Sequence, residues 1–158
     1  MISRFKEFTK NISLAYKYLI KIKSHGIKEF GLKGSNVMCL FYIGESETGL
    51  TATELCKLCC EDKAAISKAL SALHESGYVR LENEDAKKYR STYFLTESGI
   101  NVVDTLKAKI VSAVAGGGEG LSDSDREVFY KSLNTIVENL EKVAKMFGED
   151  KNEEQFKI

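Results

Sequence analysis

The 158-residue chain contains no proline and no tryptophan, only two histidines, and no excess of charge of either sign. Each absence excludes something. Without proline the commonest helix breaker is gone, which suits a chain made mostly of helices. Its 23 Lys and Arg side chains balance 23 Asp and Glu. The global field therefore argues neither for nucleic acid nor for a membrane, and any such argument must come from local arrangement. No apolar run approaches the roughly 20 residues of a membrane span. The opening "MISRFKEFTKN" is too charged for the core of a secretory signal. The cytoplasm is the expected compartment, and there the four cysteines, Cys39, Cys56, Cys59 and Cys60, are thiols. A lone C-x-x-C does not supply the four ligands zinc takes, usually as two spaced pairs. His25 and His74 lack a serine or acid partner at a recognisable spacing, and "GGGEG" lacks the Gly-Lys-Ser/Thr of a phosphate loop. No enzyme, metal or cofactor is expected.

What is present is helical periodicity. Over residues 5–22, apolar side chains fall at Phe5, Phe8, Ile12, Ala15, Tyr16, Leu19 and Ile22, steps of three and four that make one apolar side of a long helix. Gly26 ends it or follows its end. A second helix covers about 35–43. "TATE" at 51–54 is a capping box, which starts a short third helix from Ala52. A fourth spans about 62–76, with Ile66, Ala69, Leu70 and Leu73 on its buried stripe and Gly77 at a left-handed stop. The period then changes to alternation: "YVRLE" and "STYFLT" read as two strands around "NEDAKKYR". Thr96 caps a fifth helix, on which Ile100, Val103, Leu106 or Lys107, Ile110 and Val114 keep helical spacing. "AGGGEG" at 115–120 reads as a flexible break, "SDSD" at 122–125 as another helix start, and the last helix carries Phe129, Leu133, Ile136, Val137, Leu140, Val143, Ala144 and Phe147 on one side. Residues 149–158 form a polar tail, expected to fray.

Two short helices, a tight turn and a two-stranded hairpin make a winged helix-turn-helix, whose second helix enters the DNA major groove. The fourth helix suits that role. Opposite its stripe stand only Lys63, Ala64, Ala65, Ser67, Lys68 and Ser71. Large side chains there would hold the helix away from base edges. Serines donate to phosphates or bases, lysines neutralise phosphates, and alanines sit against thymine methyls. The helix N-terminus itself favours a phosphate. Ser35, Thr51 and Thr53, near the starts of the two preceding helices, join the candidate contact set. Lys87, Lys88 and Arg90 put three cations on the hairpin turn, a tip suited to the electronegative minor groove. Residues 62–96 hold six Lys or Arg against five Asp or Glu, so the cations count by position and not by sum. A small polar helix face alone is most often solvated surface. Order and spacing raise it above that.

The pieces "LTATELCKL", "DKAAISKALSALHESGYV", "KKYRSTYFLTESG" and "GLSDSDREVFYKSLNTIVENL" together resemble the MarR (multiple antibiotic resistance regulator) family over about residues 5–147. The resemblance implies a mainly α fold with a small β-hairpin wing: a winged helix-turn-helix over about 31–97, flanked by dimerisation helices at 1–30 and 98–148, all in one domain. It also implies an obligate homodimer reading a palindrome in double-stranded DNA, generally as a repressor. Release by a small aromatic effector would use a cleft for which Tyr16, Tyr18, Phe41 and Tyr42 are candidates; plain core packing is the competing role of those aromatics. The family's wing often reads Asp-Arg-Arg. Here Arg90 is the only arginine, so the minor-groove role transfers to it, with Lys88 in support and Asp85 as its orienting partner. Periodicity independently argues for pairing, because the long apolar faces of the first and last helices exceed what one copy covers. Pairing would set the two recognition helices roughly 34–36 Å apart. Cys56 fits a small core position. Cys59 and Cys60, in the turn before the recognition helix, are the candidates for thiol oxidation. The zero net charge sustains a second reading, a winged-helix module that binds another protein.

Overall fold

The computed structural model describes residues 2–83 and 91–154. The chain divides into two compact units, residues 1–114 and 115–158. The first holds α1 (Ile2–Ile27), a 3-10 turn (Lys28–Phe30), α2 (Ser35–Glu45), β1 (Leu50–Thr51), α3 (Ala52–Cys59), α4 (Lys63–Glu75), β2 (Val79–Asn83), β3 (Ser91–Leu95) and most of α5 (Glu97–Gly117). The second holds α6 (Asp123–Glu154).

One core organises the first unit. Val37, Cys39, Leu40 and Ile43 of α2 meet Leu55 of α3 and the stripe Ile66, Ala69, Leu70 and Leu73 of α4; Val79, Val102, Val103, Leu106 and Ile27 close the cluster. Each fully buried aliphatic side chain contributes about 1.5–3 kcal/mol by leaving water. The α4 stripe is the one expected. On α5 the buried face instead runs through Gly99, Val102, Val103 and Leu106, while Ile100 and Val114 are exposed. Gly99 fixes that rotation: a Cβ there would collide with the Tyr78 carbonyl oxygen, so α5 presses backbone to backbone on the turn after α4.

The sheet has three strands in the order β1-β3-β2, all antiparallel. The expected hairpin is β2 with β3, Val79 opposite Leu95 and Asn83 opposite Ser91. β1 is an addition. Its two residues pair Leu50 with Tyr93 and Thr51 with Thr92. Gly49 admits it, with φ of +71° and the Thr92 and Phe94 side chains where a Cβ would stand. Thr51 then ends β1 and caps α3. The Glu54 N–H donates to its Oγ1 at 3.3 Å, and the Thr51 N–H donates to Glu54 Oε2 at 2.8 Å, the reciprocal box the sequence predicts.

In the second unit the glycine run is tighter than expected. α5 continues to Gly117, and Arg126 Nη2 donates to the Gly118 carbonyl at 2.9 Å, which ties the loop to the first turn of α6. Ser122 caps α6, its Oγ accepting from the Asp125 N–H at 3.1 Å. α6 runs on to Glu154 through half of the tail expected to fray. Among the described residues no helix is long and apolar enough to cross a membrane.

Candidate nucleic-acid interface

α4 is positioned from both ends and from its middle. Asp62 caps it, accepting the Ala65 N–H at 2.8 Å. That carboxylate stands where the sequence invites a phosphate, because a capping Asp satisfies the same free N–H groups from within the chain. At the C-terminal end Gly77 takes φ of +73°, and the Tyr78 N–H returns to the Leu73 carbonyl at 2.9 Å. At the middle, Asn36 of α2 donates through Nδ2 to the Ala69 carbonyl at 3.0 Å and accepts the Lys33 N–H at 2.9 Å. Asn36 is the one buried polar residue among the described residues. It fixes the depth of α4 against α2.

With that stripe buried, the opposite face is set free. Lys63, Ala64, Ser67, Lys68 and Ser71 are all exposed, and Ala65 is half-buried. They form one slim, continuous face on a 13-residue helix. Ser35 and Thr53 are exposed at the starts of α2 and α3. Thr51 is half-buried, and its hydroxyl is engaged in the capping box, donating to Glu54 Oε2 at 2.7 Å. The wing candidates Asp85, Lys87, Lys88 and Arg90 lie outside the described residues. At the root of the wing, Arg80 lies over the Phe94 ring, 4.8 Å from its centroid, and pairs with Glu82; periodicity did not single it out. The wing is anchored by Thr96, whose Oγ1 donates to the Gly77 carbonyl at 2.6 Å and accepts the Gly99 N–H at 3.1 Å. The Thr96 N–H donates to the Tyr78 carbonyl at 3.0 Å. The "LTESG" stretch is thus a clasp joining α4, β2 and α5.

A pocket of about 370 Å³ opens between α1, the start of α2 and the turn after α3, with Tyr16, Ile20, Lys23, Met38, Cys59 and Cys60 on its wall. Of the four aromatics proposed for an effector cleft, Tyr16 lines it. Phe41 and Tyr42 are half-buried against the core, and Tyr18 is exposed on α1. Burial pushes the Tyr42 hydroxyl pKa up. The cysteines divide unexpectedly. Cys56 is half-buried, with Leu55 taking the core position of α3. Cys60 is exposed in a left-handed conformation, φ +54°. Cys59 lies 3.9 Å, sulfur to sulfur, from the buried Cys39. Linear spacing gave no hint of that pair, since 20 residues separate them. The hydrogen bond shared by the two thiols raises the Cys39 pKa, burial adding to it, and lowers that of Cys59. Among the described residues no group of three or more His, Cys, Asp or Glu side chains could hold a metal ion.

A helix pair docked through a shared core, an outward slim second helix and a pinned hairpin define a winged helix-turn-helix protein. Residues 30–88 match the model of the MarR family. The chain is 29% identical over 125 residues, 78% of its length and 82% of the relative's, to the HTH-type transcriptional regulator SarZ of Staphylococcus haemolyticus. Its fold matches a MarR family regulator from Listeria monocytogenes, solved in complex with a 26mer DNA, with a TM-score of 0.78 at 20% identity, covering 84% of this chain and 87% of that one. It also matches CouR of Rhodococcus jostii, bound to p-coumaroyl-CoA, with a TM-score of 0.70 at 19% identity, covering 79% and 87%. The chain is thus similar to the MarR family in the sequence of residues 30–88, and its fold is the one those regulators share.

Proposed function

We propose that the protein works as a homodimer that seats its two α4 helices in successive major grooves of a palindromic operator, repressing transcription in the cytoplasm. The observation that carries this reading is the exposed face Lys63, Ala64, Ser67, Lys68 and Ser71, set opposite a fully buried stripe. A groove admits that face and would reject a bulky one. Ser67 and Ser71 meet phosphates or base edges, Lys63 and Lys68 neutralise phosphates, and Ala64 and Ala65 approach thymine methyls. Ser35 and Thr53 extend the backbone contacts. The wing residues Lys87, Lys88 and Arg90, with Asp85 orienting Arg90, reach the minor groove, a role drawn from the family resemblance. Dimerisation is supported by the apolar faces left exposed on α1 and on α6. A small aromatic effector would enter the pocket beside Tyr16, and the acyl-CoA held by CouR supports a ligand-released regulator.

The test is DNA affinity against the chain's own upstream region across a salt series. A steep salt slope is expected, shallower by about two for each of Lys63→Ala and Lys68→Ala, one phosphate contact being lost from each protomer. Ser67→Tyr, at an exposed site, should abolish specific binding and leave the folding midpoint unchanged. Failure to shift any duplex at low salt would overturn the DNA reading in favour of a module that binds another protein.

A further inference from the structure

We propose that Asp62 is a specificity-determining residue of the DNA interface: its free carboxylate oxygen accepts the N4 amino group of one cytosine in each operator half-site. The inference rests on the DNA reading above and adds which base pair the helix selects. Three observations carry it. Asp62 is the residue on which α4 begins, and it is exposed beside the exposed Lys63 and Ala64 of the slim face. Its Oδ1 is committed to the Ala65 N–H at 2.8 Å, and among the described residues Oδ2 has no partner. Neither Asp62 nor its neighbour Glu61 enters a salt bridge among the described residues.

A cap alone does not call for charge. Asn and Ser cap a helix about as well as Asp does, and a carboxylate at a phosphate-lined surface is repelled. Asp62 therefore weakens any purely electrostatic contact and offsets that only at a base that donates. An ionised carboxylate is acceptor-only. In the major groove guanine presents N7 and O6 and thymine presents O4, all acceptors that repel it. Adenine presents its N6 donor beside the N7 acceptor, so one bond is gained there against a repulsive neighbour. Cytosine presents its N4 donor with no acceptor beside it on the same base. The rest of the exposed face does not make this choice. Serine bonds either kind of group, lysine meets phosphates, and alanine meets a thymine methyl. Glu61, the nearest other carboxylate, lies on the wall of the pocket beside α1.

The cap also supplies the aim. Recognition helices present their first residues to base edges. A side chain already locked by its own helix loses little freedom on binding. The Ala65 bond holds the carboxylate at the helix tip, and the Asn36 bond to Ala69 fixes how far that tip projects from α2.

The test is selection from random duplexes by the full-length protein, wild type against Asp62→Asn, Asp62→Ser and Glu61→Gln. Asn and Ser keep the cap and with it the fold. Wild type should enrich one C·G pair at a fixed position in each half-site. Changing that pair should cost about tenfold in affinity, within the usual range for one mismatch. Asp62→Ser should enrich the same site with that position degenerate. Asp62→Asn, whose amide presents donors, should no longer select cytosine there. Both should bind duplexes lacking the site at least as tightly as wild type, because an anion has left the interface. Glu61→Gln should keep the cytosine. Enrichment of the same pair by all four proteins overturns the role of Asp62 and leaves the DNA reading standing. So does an Asp62→Asn protein whose affinity changes by one common factor for every duplex. Failure of all four to enrich any duplex overturns the DNA reading, and this assignment with it.

Discussion

At the scale of single residues, the asymmetry of α4 is the decisive feature, and Asn36 shows how it is held. A buried amide costs free energy unless its bonds are made. Both of its bonds are made here, one of them to the backbone of α4. Asn36→Ala leaves the Lys33 N–H without its partner and removes the α2–α4 tie. It should destabilise the fold by about 1–3 kcal/mol, read as a lowered midpoint in urea at unchanged m-value. An unchanged midpoint would mean that packing alone seats α4. The slim face itself was legible from composition, since alanine, serine and lysine at helical spacing need no partner to be seen. Asn36 was not, because the Ala69 carbonyl that explains it lies 33 residues away. The same distance problem hid the Cys39–Cys59 contact.

At the scale of elements, the helices were legible because each announces itself locally, through period, cap and stop. The Thr51 and Ser122 caps and the Gly77 stop stand where the sequence placed them. β1 was missed because a two-residue strand has no period of its own and exists only through β3, some 40 residues on. The end of α5 was misplaced because glycines read as a break are tolerated in a last helical turn. Gly99 illustrates competing effects. Alanine is favoured over glycine inside a helix by about 1 kcal/mol, yet its Cβ would strike the Tyr78 carbonyl oxygen, and overpacking of that kind costs about 1–3 kcal/mol. Gly99→Ala should therefore lower Tm by several degrees; a raised Tm would show that the clasp yields. The α3 cap carries a pH dependence. Bonds from the Thr51 backbone and hydroxyl hold the Glu54 carboxyl below its ordinary 4.5. A depressed carboxylate contributes stability above its unfolded pKa and loses it as pH falls through the folded value. The stability gap between wild type and Glu54→Ala should be present at pH 7 and shrink on acidification below 4.5. A gap constant down to pH 3 would remove the charge from the explanation.

At the scale of the whole molecule, the question is what covers the apolar faces. On α1, Phe5 is 68% exposed and Leu19 53%; on α6, Phe129 is 54% exposed and Leu140 53%. These are members of the apolar sides that periodicity gave the first and last helices, and in one chain they lie open to water. A helix face with that many exposed apolar side chains marks an interaction site, and a two-fold copy of the same chain is the commonest way to cover it. Replacing Leu19 and Leu140 together by Glu tests this without touching the α4 core. Sedimentation equilibrium should return half the wild-type mass, while the circular dichroism of the winged unit persists. Loss of the second tethered half-site should then weaken operator binding by about a hundredfold or more, since linked sites gain that much from effective concentration. If the doubly charged variant keeps both the wild-type mass and its affinity, those faces are not the dimer interface. The spacing of the two recognition helices would then have to be set by some other surface of the chain.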